Sequence, residues 1–338
     1  MQNGLKKLRV LVGPVIGLVL LILVLRSIKL SEMRLALRSA NYIYLLPAAL
    51  VQLGSFGVRT LRWKYLLGPL GKKLPFSELF SGFLIGYFSN FALTANAGDL
   101  VRAYIVGRRQ AISKSATLAS IVVERLFDVA SLVLLLFAIS LGQSLPAWIK
   151  LAGLAAGAAL VVGCLGLVLL VRYEKLANWA IHSLVGRVLP PAARLAERLW
   201  RSFTEGLVLW QRGGDSLWAA LLSILAWLVL ALAFFFIGQA LGLAVPPQAY
   251  LLLAVVIILG ALVPSLPGRV GTLEFLAVST LAVFSVPAEP ALSFALLLRL
   301  VRLLPLGLGY VFLFREGLQL SDISQLARVQ EPGETPST

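Results

Sequence analysis

The chain has 338 residues, of which 59% are hydrophobic and only 13% are charged, whereas soluble domains carry about 25% charged residues. The apolar residues form long blocks, so the composition excludes an ordinary soluble domain and indicates an all-α polytopic membrane protein. The formal net charge is +15, but the cations lie between the apolar blocks without a basic face interleaved with aromatics. Nucleic acid is therefore not expected as a partner.

Uncharged stretches predict the membrane spans, each of which needs about 20 residues. The stretches are Val10–Leu25, Asn41–Val58, Leu79–Gly98, Val129–Ile149, Leu151–Val171 and a long block over Ser216–Gly268. A last apolar stretch, Pro290–Phe314, carries Arg299 and Arg302. The long block holds two segments, because Pro246 and Pro247 cannot continue a helix from the preceding residue. We interpret Val10–Leu25 as a retained helix rather than a signal peptide, and the whole pattern predicts about six to eight transmembrane helices.

The distribution of Lys and Arg predicts the orientation of these segments. The basic connections Tyr65–Lys73, Arg102–Lys114 and Arg172–Arg212 should be cytoplasmic, and so should both termini, in a protein of the cytoplasmic (inner) membrane. The first two connections can share one side only if Leu79–Gly98 is a re-entrant segment that enters and leaves on that side. The alternative is an ordinary span with a weak loop signal.

A second re-entrant segment is predicted within Gly260–Phe284, because proline, glycine and charge at membrane depth require surrounding protein or water. The expected backbone breaks in the two segments are Gly98, Pro264, Pro267, Gly268 and Gly271. From Pro75 to Gly98 is 23 positions, and from Pro246 to Gly268 is 22. This spacing favours an inverted repeat with a site where the broken helices meet, although two such breaks can also coincide by chance.

The domain organisation follows from the same pattern. Residues 1–316 are expected to form a single transmembrane domain, and residues 317–338 a disordered polar tail. Within 187–212 the sequence predicts an amphipathic helix that lies in the cytoplasmic interface against anionic lipid. Its alternative is a solvated helix packed on the transmembrane bundle.

Ionisable residues at membrane depth are the candidates for function, because their burial is costly. Arginine binds phosphate through its planar fork. The candidates for binding a lipid headgroup are Arg102, Arg125, Arg269, Arg299 and Arg302. The candidates for balancing these charges or coupling protons are Asp99, Glu124, Asp128 and Glu274. Asp99 shares a helical face with Arg102, and Arg125 can pair with Asp128. The alternative is that these groups only pin the helices together.

Catalytic and metal-binding signatures are missing from the sequence. The single histidine, His182, and the single cysteine, Cys164, exclude a histidine-rich metal site and an intrachain disulfide. No phosphate-binding Gly-x-x-x-x-Gly-Lys-Ser/Thr loop, G-x-S-x-G elbow or H-E-x-x-H motif occurs. We therefore expect no catalytic residue, metal, cofactor or built-in ATPase.

Four stretches of the sequence, given below, resemble the flippase-like integral membrane family. That family includes the transmembrane half of bacterial lysyl-phosphatidylglycerol synthases, the multiple peptide resistance factors. The resemblance covers roughly residues 5 to 316. It is carried by Arg59-Thr-Leu-Arg62-Trp63, by Asn90 through Gly98-Asp99-Leu-Val-Arg102, by Glu124-Arg125-Leu-Phe-Asp128, and by Pro264-Ser-Leu-Pro267-Gly268-Arg-Val-Gly271-Thr-Leu-Glu274. The family usually has a proline where Ala97 stands and a second glycine where Arg269 stands.

The resemblance implies a lipid-translocating module with two re-entrant segments of opposite orientation, without the large soluble aminoacyl-transfer domain. We expect a flippase for an anionic phospholipid or a polyprenyl-linked lipid. The alternatives are a glycosyltransferase or accessory acting on polyprenyl phosphate and a purely structural membrane protein. A separate synthase or glycosyltransferase and a second copy of the chain are the protein partners left open.

Overall fold

The computed structural model describes residues 29–92, 98–110, 112–173, 216–260 and 267–317, together with residues 18–20 and 22. These ranges contain eleven numbered α-helices and no strand. The helices are α1 (Leu30–Arg38), α2 (Leu45–Leu66), α3 (Pro69–Lys73), α4 (Phe76–Ala92), α5 (Gly98–Arg109), α6 (Lys114–Gly142), α7 (Ala147–Arg172), α8 (Ser216–Ala240), α9 (Pro247–Leu259), α10 (Thr272–Leu281) and α11 (Ala288–Arg315). Most of the predicted first span, the amphipathic helix in 187–212 and the tail beyond 317 lie outside the described residues.

Three of the described helices are long and apolar enough to cross a membrane. They are α7, over Ala147–Leu169, α8 and α11. The number rises to four if α1 and α2, which are bent by 72° at the short connection between them, count as one span. The described helices thus confirm the all-helical fold, whereas the predicted count of six to eight spans is not confirmed by length and composition in these ranges.

Two helices include charged residues that the predicted spans left out. Helix α2 continues past the predicted end at Val58 to Leu66, and α6 runs from Lys114 to Gly142 rather than from Val129 to Ile149. The Ser113 side chain caps α6 by accepting a hydrogen bond from the Ala116 N–H at 3.3 Å. Uncharged runs misplaced both boundaries, because these helices continue through charged residues. Of these, Arg62, Glu124 and Asp128 are paired with charges on other helices.

Helices α4 and α5 form a closely packed antiparallel hairpin. A β-carbon on Gly98 would lie 2.0 Å from the Gly86 carbonyl oxygen, so the two backbones approach as only glycine permits. The Gly98 N–H donates to Asn90 Oδ1 at 2.7 Å. At the other end of the hairpin, Arg109 Nη1 donates to Glu78 Oε2 at 3.0 Å. The start of α4 and the end of α5 therefore lie side by side.

Helices α9 and α10 form a second hairpin, and residues 260 and 267–271 of its connection are described. A β-carbon on Gly260 would lie 2.2 Å from Leu276 Cδ1, which brings the end of α9 against the middle of α10. Just before α10, Gly268 and Gly271 have φ values of 69° and 85°, in the region that favours glycine. Arg269 lies between them with φ 56°. The predicted breaks at Gly268 and Gly271 are thus real departures from helical backbone.

One end of the bundle, which we call the α1 end, gathers the start of α1 and the ends of several long helices. The Lys29 N–H donates to Glu289 Oε1 at 3.3 Å, at the start of α11. The Asn41 N–H donates to the Ala240 carbonyl at 2.7 Å, at the end of α8. Because α9 follows α8 after Gly242 and α11 follows α10 directly, the second hairpin opens toward the α1 end.

The opposite end, which we call the α3 end, gathers the end of α2, the start of α8 and the end of α11. The rings of Tyr65 and Trp218 stack with centroids 6.4 Å apart. Arg109, at the end of α5, pairs with Glu316, immediately after α11. The first hairpin therefore opens toward the α3 end, and the two hairpins enter the bundle from opposite directions.

Burial separates two apolar helices of similar composition. In α9 every side chain from Leu252 to Ile257 is buried, as expected for a helix that is apolar on all faces and lies at the centre of a bundle. In α7 the most apolar part of Ala147–Leu169 buries no residue at all. Leu154 and Val162 there are 70% and 69% exposed. A helix with this much apolar exposed surface is suited to lipid rather than to water.

Candidate functional site

Four charged side chains form what we call the inner ion network: Arg62, Arg102, Glu124 and Asp128. Arg62 Nη1 donates to Asp128 Oδ1 at 2.6 Å, and Arg62 Nη2 donates to Glu124 Oε1 at 2.9 Å. Arg102 Nη2 donates to Glu124 Oε2 at 2.5 Å. All four side chains are buried, so each charge is offset by a partner from another helix.

Aromatic rings and a hydroxyl complete the surroundings of this network. The Arg102 guanidinium lies over the rings of Trp63 and Phe83, at 4.3 Å and 4.7 Å from their centroids. Ser223 accepts a further hydrogen bond from Arg62 Nη1 at 3.0 Å. Such cation–π contacts stabilise a desolvated guanidinium. Arg62 and Arg102 are thus enclosed, with little room for a ligand.

Arg59 lies one turn before Arg62 and lacks a carboxylate partner among the described residues. Its guanidinium lies over the Trp227 ring, 4.2 Å from the centroid, and its buried Nε has no acceptor in the described part of the chain. The Trp227 Nε1–H in turn donates to Ser131 Oγ at 2.8 Å. Arg59 therefore adds a positive charge beside the inner ion network.

Arg125 joins the first hairpin to the outer side of the inner ion network. Its Nη2 donates to Asp99 Oδ2 at 2.6 Å, and its Nη1 donates to Asp128 Oδ2 at 3.2 Å. The Arg125 side chain is 51% exposed and that of Asp99 is 25% exposed. Unlike Arg62 and Arg102, Arg125 therefore presents part of its guanidinium away from the protein interior.

Arg299 on α11 holds the break of the second hairpin in shape. Its Nε donates to Glu274 Oε1 at 2.6 Å, and its Nη1 donates to the Gly268 carbonyl at 2.9 Å. Its Nη2 reaches the Arg269 carbonyl at 3.3 Å. Glu274 Oε2 also accepts the Gly271 N–H at 2.8 Å, which caps α10. Glu274 and Arg299 thus fix the backbone on both sides of Arg269.

The side chains of Arg269 and Arg302 make no ion pair or hydrogen bond within the described ranges. The groups that act electrostatically on Arg269 are Arg302, Tyr87 and Arg125, none of which is a carboxylate. Glu274 attracts Arg302 electrostatically but is not hydrogen-bonded to it, because Glu274 accepts its hydrogen bonds from Arg299 and from the Gly271 N–H. We call Arg125, Arg269 and Arg302 the arginine cluster.

The arginine cluster lies where the two hairpins meet. A β-carbon on Gly268, in the second hairpin, would lie 3.0 Å from the Phe91 ring near the end of α4. Tyr87, one turn earlier on α4, acts on both Arg269 and Arg302. The cluster thus draws its arginines from α6, from the second break and from α11, with the first hairpin alongside.

The predicted charged residues come together, but their pairing differs in part from the sequence interpretation. Arg125 pairs with Asp128 as predicted, and Glu124 and Asp128 share a partner. Asp99 pairs with Arg125, while Arg102 turns to Glu124. Helix α5 packs against α6, which brings Asp99 to Arg125 and Glu124 to Arg102. Pro264 lies outside the described residues, and Pro267 begins a short 3₁₀ turn.

Arg62 is the central group that the candidate set omitted, although it stands in one of the quoted stretches. The predicted span ended at Val58 and the basic connection began at Tyr65, so Arg59 and Arg62 fell between the two. The available signal was a pair of arginines three residues apart, directly continuing an apolar helix. Within the described ranges, no group of three or more His, Cys, Asp or Glu side chains could hold a metal ion.

Comparison with known proteins places the chain in a family. The model of the lysylphosphatidylglycerol synthase TM region matches residues 10–309. A UPF0104 membrane protein of Methanothermobacter thermautotrophicus is 26% identical over 299 residues, which cover 82% of this chain and 84% of that protein. A UPF0104 membrane protein of Methanocaldococcus jannaschii is 23% identical over 312 residues, which cover 88% of this chain and 92% of that protein.

A shorter match is to Glycosyltransferase AglD of Haloferax volcanii, which is 33% identical over 122 residues, covering 35% of this chain and 20% of that protein. No solved structure matches the chain. The family match spans most of the sequence and includes every residue of the inner ion network and of the arginine cluster. The chain is therefore a multi-pass integral membrane protein that belongs to the lysylphosphatidylglycerol synthase TM region family.

Proposed function

We propose that the protein moves an anionic phospholipid or a polyprenyl-linked lipid across the cytoplasmic membrane, with the headgroup phosphate bound by the arginine cluster. The observation that carries this proposal is the absence of any bonded acidic partner for Arg269 and Arg302 among the described residues. Both side chains are half-buried. A partly desolvated cation without a counter-charge is costly, and a phosphate offsets that cost through charge-assisted hydrogen bonds. The cluster is thus suited to a ligand that arrives and leaves.

The other charged residues take supporting roles in this proposal. Arg102 and Arg299 already hold Glu124 and Glu274, so they position the two hairpins rather than meet the lipid first. Asp99 neutralises Arg125 in the empty state and releases it when a phosphate binds. This exchange gives the headgroup a third arginine without leaving a bare charge in its absence.

We further propose that both hairpins are re-entrant segments of an inverted repeat. Helix α5 has 12 residues and α10 has 10, so at 1.5 Å per residue they are about 18 and 15 Å long, against a hydrocarbon core of about 30 Å. The hairpins open toward opposite ends of the bundle. Their broken tips would then meet near mid-membrane, the arrangement in which transporters bind substrate.

The orientation follows if Val10–Leu25, α2, α6, α7, α8 and α11 are the six spans. Helix α6 has 29 residues, which is about 43 Å and long enough to cross despite its charged first half. The α3 end then faces the cytoplasm with both termini and the three basic connections, as the positive-inside rule prefers. The first hairpin enters from the cytoplasm and the second from outside.

Single cysteines test this orientation in intact cells. With Cys164 replaced by serine, Ser144→Cys at the α1 end should react with a membrane-impermeant maleimide. Lys73→Cys at the α3 end should react only after the cells are permeabilised. The variant lacking cysteine is the labelling control. Reaction of both positions from the same side would contradict the six-span arrangement.

The proposed transport is tested with fluorescent lipids in proteoliposomes. We expect the full chain to move a labelled anionic lipid between leaflets, and we expect Arg269→Gln to slow that movement at least about tenfold, since one charge-assisted contact is worth about 1.5–3 kcal/mol. Arg108→Gln is the matched control, because Arg108 is exposed and lies outside the cluster. Movement that is equally fast in wild type, in both variants and in protein-free vesicles would contradict the proposal.

A second candidate function is glycosyl transfer on a polyprenyl-phosphate-linked sugar, favoured by the similarity to Glycosyltransferase AglD over 122 residues. That match covers only 20% of the named glycosyltransferase. Incubation of the proteoliposomes with polyprenyl phosphate and nucleotide sugars separates the two functions. A new lipid-linked species by mass spectrometry would favour the enzyme, whereas unchanged lipid that has crossed the bilayer favours transport. In the transport case, a separate synthase or glycosyltransferase would supply the lipid.

A further inference from the structure

Resting on the proposed function, we propose that the arginine cluster selects a headgroup that ends in a phosphomonoester or diphosphate, with two or more negative charges. A singly charged phosphodiester would bind more weakly. Arg269 is the residue that sets this preference. The basis is the number of charges near the hairpin tips, the number of arginines that converge there, and the fixed backbone that carries Arg269.

The charges around the hairpin tips do not cancel. The arginines in this region are Arg59, Arg62, Arg102, Arg125, Arg269, Arg299 and Arg302, and the carboxylates are Asp99, Glu124, Asp128 and Glu274. Seven positive charges thus face four negative charges, so three remain without a counterpart among the described residues. A ligand with a single negative charge would leave two of them uncompensated, whereas a doubly or triply charged phosphate offsets most of the excess.

The excess charge is concentrated in the arginine cluster rather than spread through the bundle. Arg62, Arg102 and Arg299 each donate to a carboxylate at 2.9 Å or less. Arg59 is covered by the Trp227 ring. The two arginines that remain, Arg269 and Arg302, act on each other electrostatically, and Arg125 acts on Arg269. A terminal phosphate presents three strong acceptor oxygens to these arginines, whereas a phosphodiester has two of its four oxygens esterified and presents only two.

The backbone at Arg269 is held in an unfavourable conformation. Arg269 has φ 56°, a region that residues other than glycine seldom adopt. Arg299 donates to the carbonyls of Gly268 and Arg269, which keeps the turn in this conformation. The Arg269 side chain itself has no bonded partner in the part of the chain that the structure describes. Strained positions of this kind persist where the surroundings hold them and often serve binding. The Arg269 guanidinium is thereby presented on a rigid support.

Binding of two lipids with identical tails to the purified full chain in detergent tests the charge preference. Dioctanoyl phosphatidic acid carries a phosphomonoester, with a charge between about −1.5 and −2 at pH 7, and dioctanoyl phosphatidylglycerol carries a phosphodiester. We expect the phosphatidic acid to bind at least about tenfold more tightly at pH 8, as one additional charge contact in a partly buried site provides. At pH 5, where the monoester loses its second charge, this advantage should shrink to near unity.

Variants then assign the preference to its residue. Arg269→Gln should reduce the ratio of the two dissociation constants to about two or less, and Arg302→Gln provides a second test should Arg269→Gln fold poorly. Arg108→Gln should keep the wild-type ratio. Equal affinity of the two lipids in wild type, or a ratio that persists when the pH falls, would overturn the charge preference. A ratio unchanged in both cluster variants would overturn its assignment to this site.

Two further measurements complete the test. One distinguishes a lipid phosphate from free phosphate, and the other distinguishes failure of the charge preference from failure of the proposed transport. If inorganic diphosphate at the same concentration displaces the phosphatidic acid fully, the site binds free phosphate and the lipid assignment is overturned. The transport assay is run on both lipids with the same protein. If neither lipid moves although the binding preference holds, transport is wrong and the charge preference stands. If both lipids move equally fast and bind equally well, the charge preference is wrong and transport stands.

Discussion

The inner ion network and the arginine cluster contain the same kind of side chain in opposite circumstances. In the network, Arg62 and Arg102 are buried and bonded to Glu124 and Asp128 from α6. In the cluster, Arg269 and Arg302 have no bonded carboxylate among the described residues, although they lie close by in the same bundle. A paired arginine holds helices together, whereas an unpaired one stores a cost that a ligand can relieve. Removing arginines from each group should therefore affect different measurements.

The largest expected effect comes from breaking the network at its centre. Arg62→Ala leaves Glu124 and Asp128 with one arginine fewer in a buried site, which should lower the free energy of unfolding by about 3–5 kcal/mol. Denaturant unfolding of the detergent-purified protein measures this change. Arg34→Ala is the control, because Arg34 is exposed on α1 and should change stability by less than about 0.5 kcal/mol. Equal stability of the two variants would show that the network does not hold the fold.

A smaller loss is expected at the close approach that shapes the first hairpin. In Gly98→Ala the new β-carbon would lie 2.0 Å from the Gly86 carbonyl oxygen, so α4 and α5 must separate. Forced separation of packed elements costs about 1–3 kcal/mol, which the unfolding midpoint would report. Gly54→Ala on α2 is matched to it, since nothing lies within 4 Å of its added carbon. An unchanged midpoint for Gly98→Ala would mean that the hairpin tolerates a looser contact.

Substitutions in the arginine cluster should lower the rate of lipid movement and leave the stability of the fold unchanged. Arg269→Gln and Arg302→Gln remove uncompensated positive charge, so we expect the free energy of unfolding to stay within about 0.5 kcal/mol or to rise, while lipid movement falls at least about tenfold. Measuring both quantities on the same preparation gives the contrast with Arg62→Ala. If the cluster variants lose several kcal/mol, their arginines are structural like those of the network.

The smallest effect is expected at the α3 end, where Arg109 pairs with Glu316 and Glu78. These side chains are partly exposed, and ion pairs of this kind contribute about 0–1 kcal/mol. Arg109→Gln should lower the unfolding free energy by that amount at low salt, and by less in about 1 M salt, where the Debye length is about 3 Å. A loss above about 2 kcal/mol would indicate that this contact anchors the first hairpin as firmly as the buried network does.

Much of the arrangement was predictable because a membrane protein displays its organisation in long apolar runs. The break between α8 and α9 at Gly242–Pro247 was predicted from proline and glycine and is observed. The breaks at Gly268 and Gly271 were predicted in the same way. The end of α2 and the start of α6 were misplaced, because the uncharged runs are bounded by Arg59 and Asp128 while the helices continue through them. The pairing of Asp99 with Arg125 was also missed, since it joins α5 to α6 across 26 positions of sequence.

The sequence by itself determined that the chain is helical, that it lies in a membrane, where its backbone breaks and which charged residues are costly to bury. Each of these depends on a local run of residues, whose hydrophobicity or backbone freedom acts wherever the run is placed. Only the tertiary structure decided which arginines are neutralised and which are not. That outcome depends on distances of a few ångströms between α2, α5, α6 and α11, set by how the helices pack. The sequence marks both Arg62 and Arg269 as arginines beside apolar runs. Packing provides carboxylates to the first, and none among the described residues to the second.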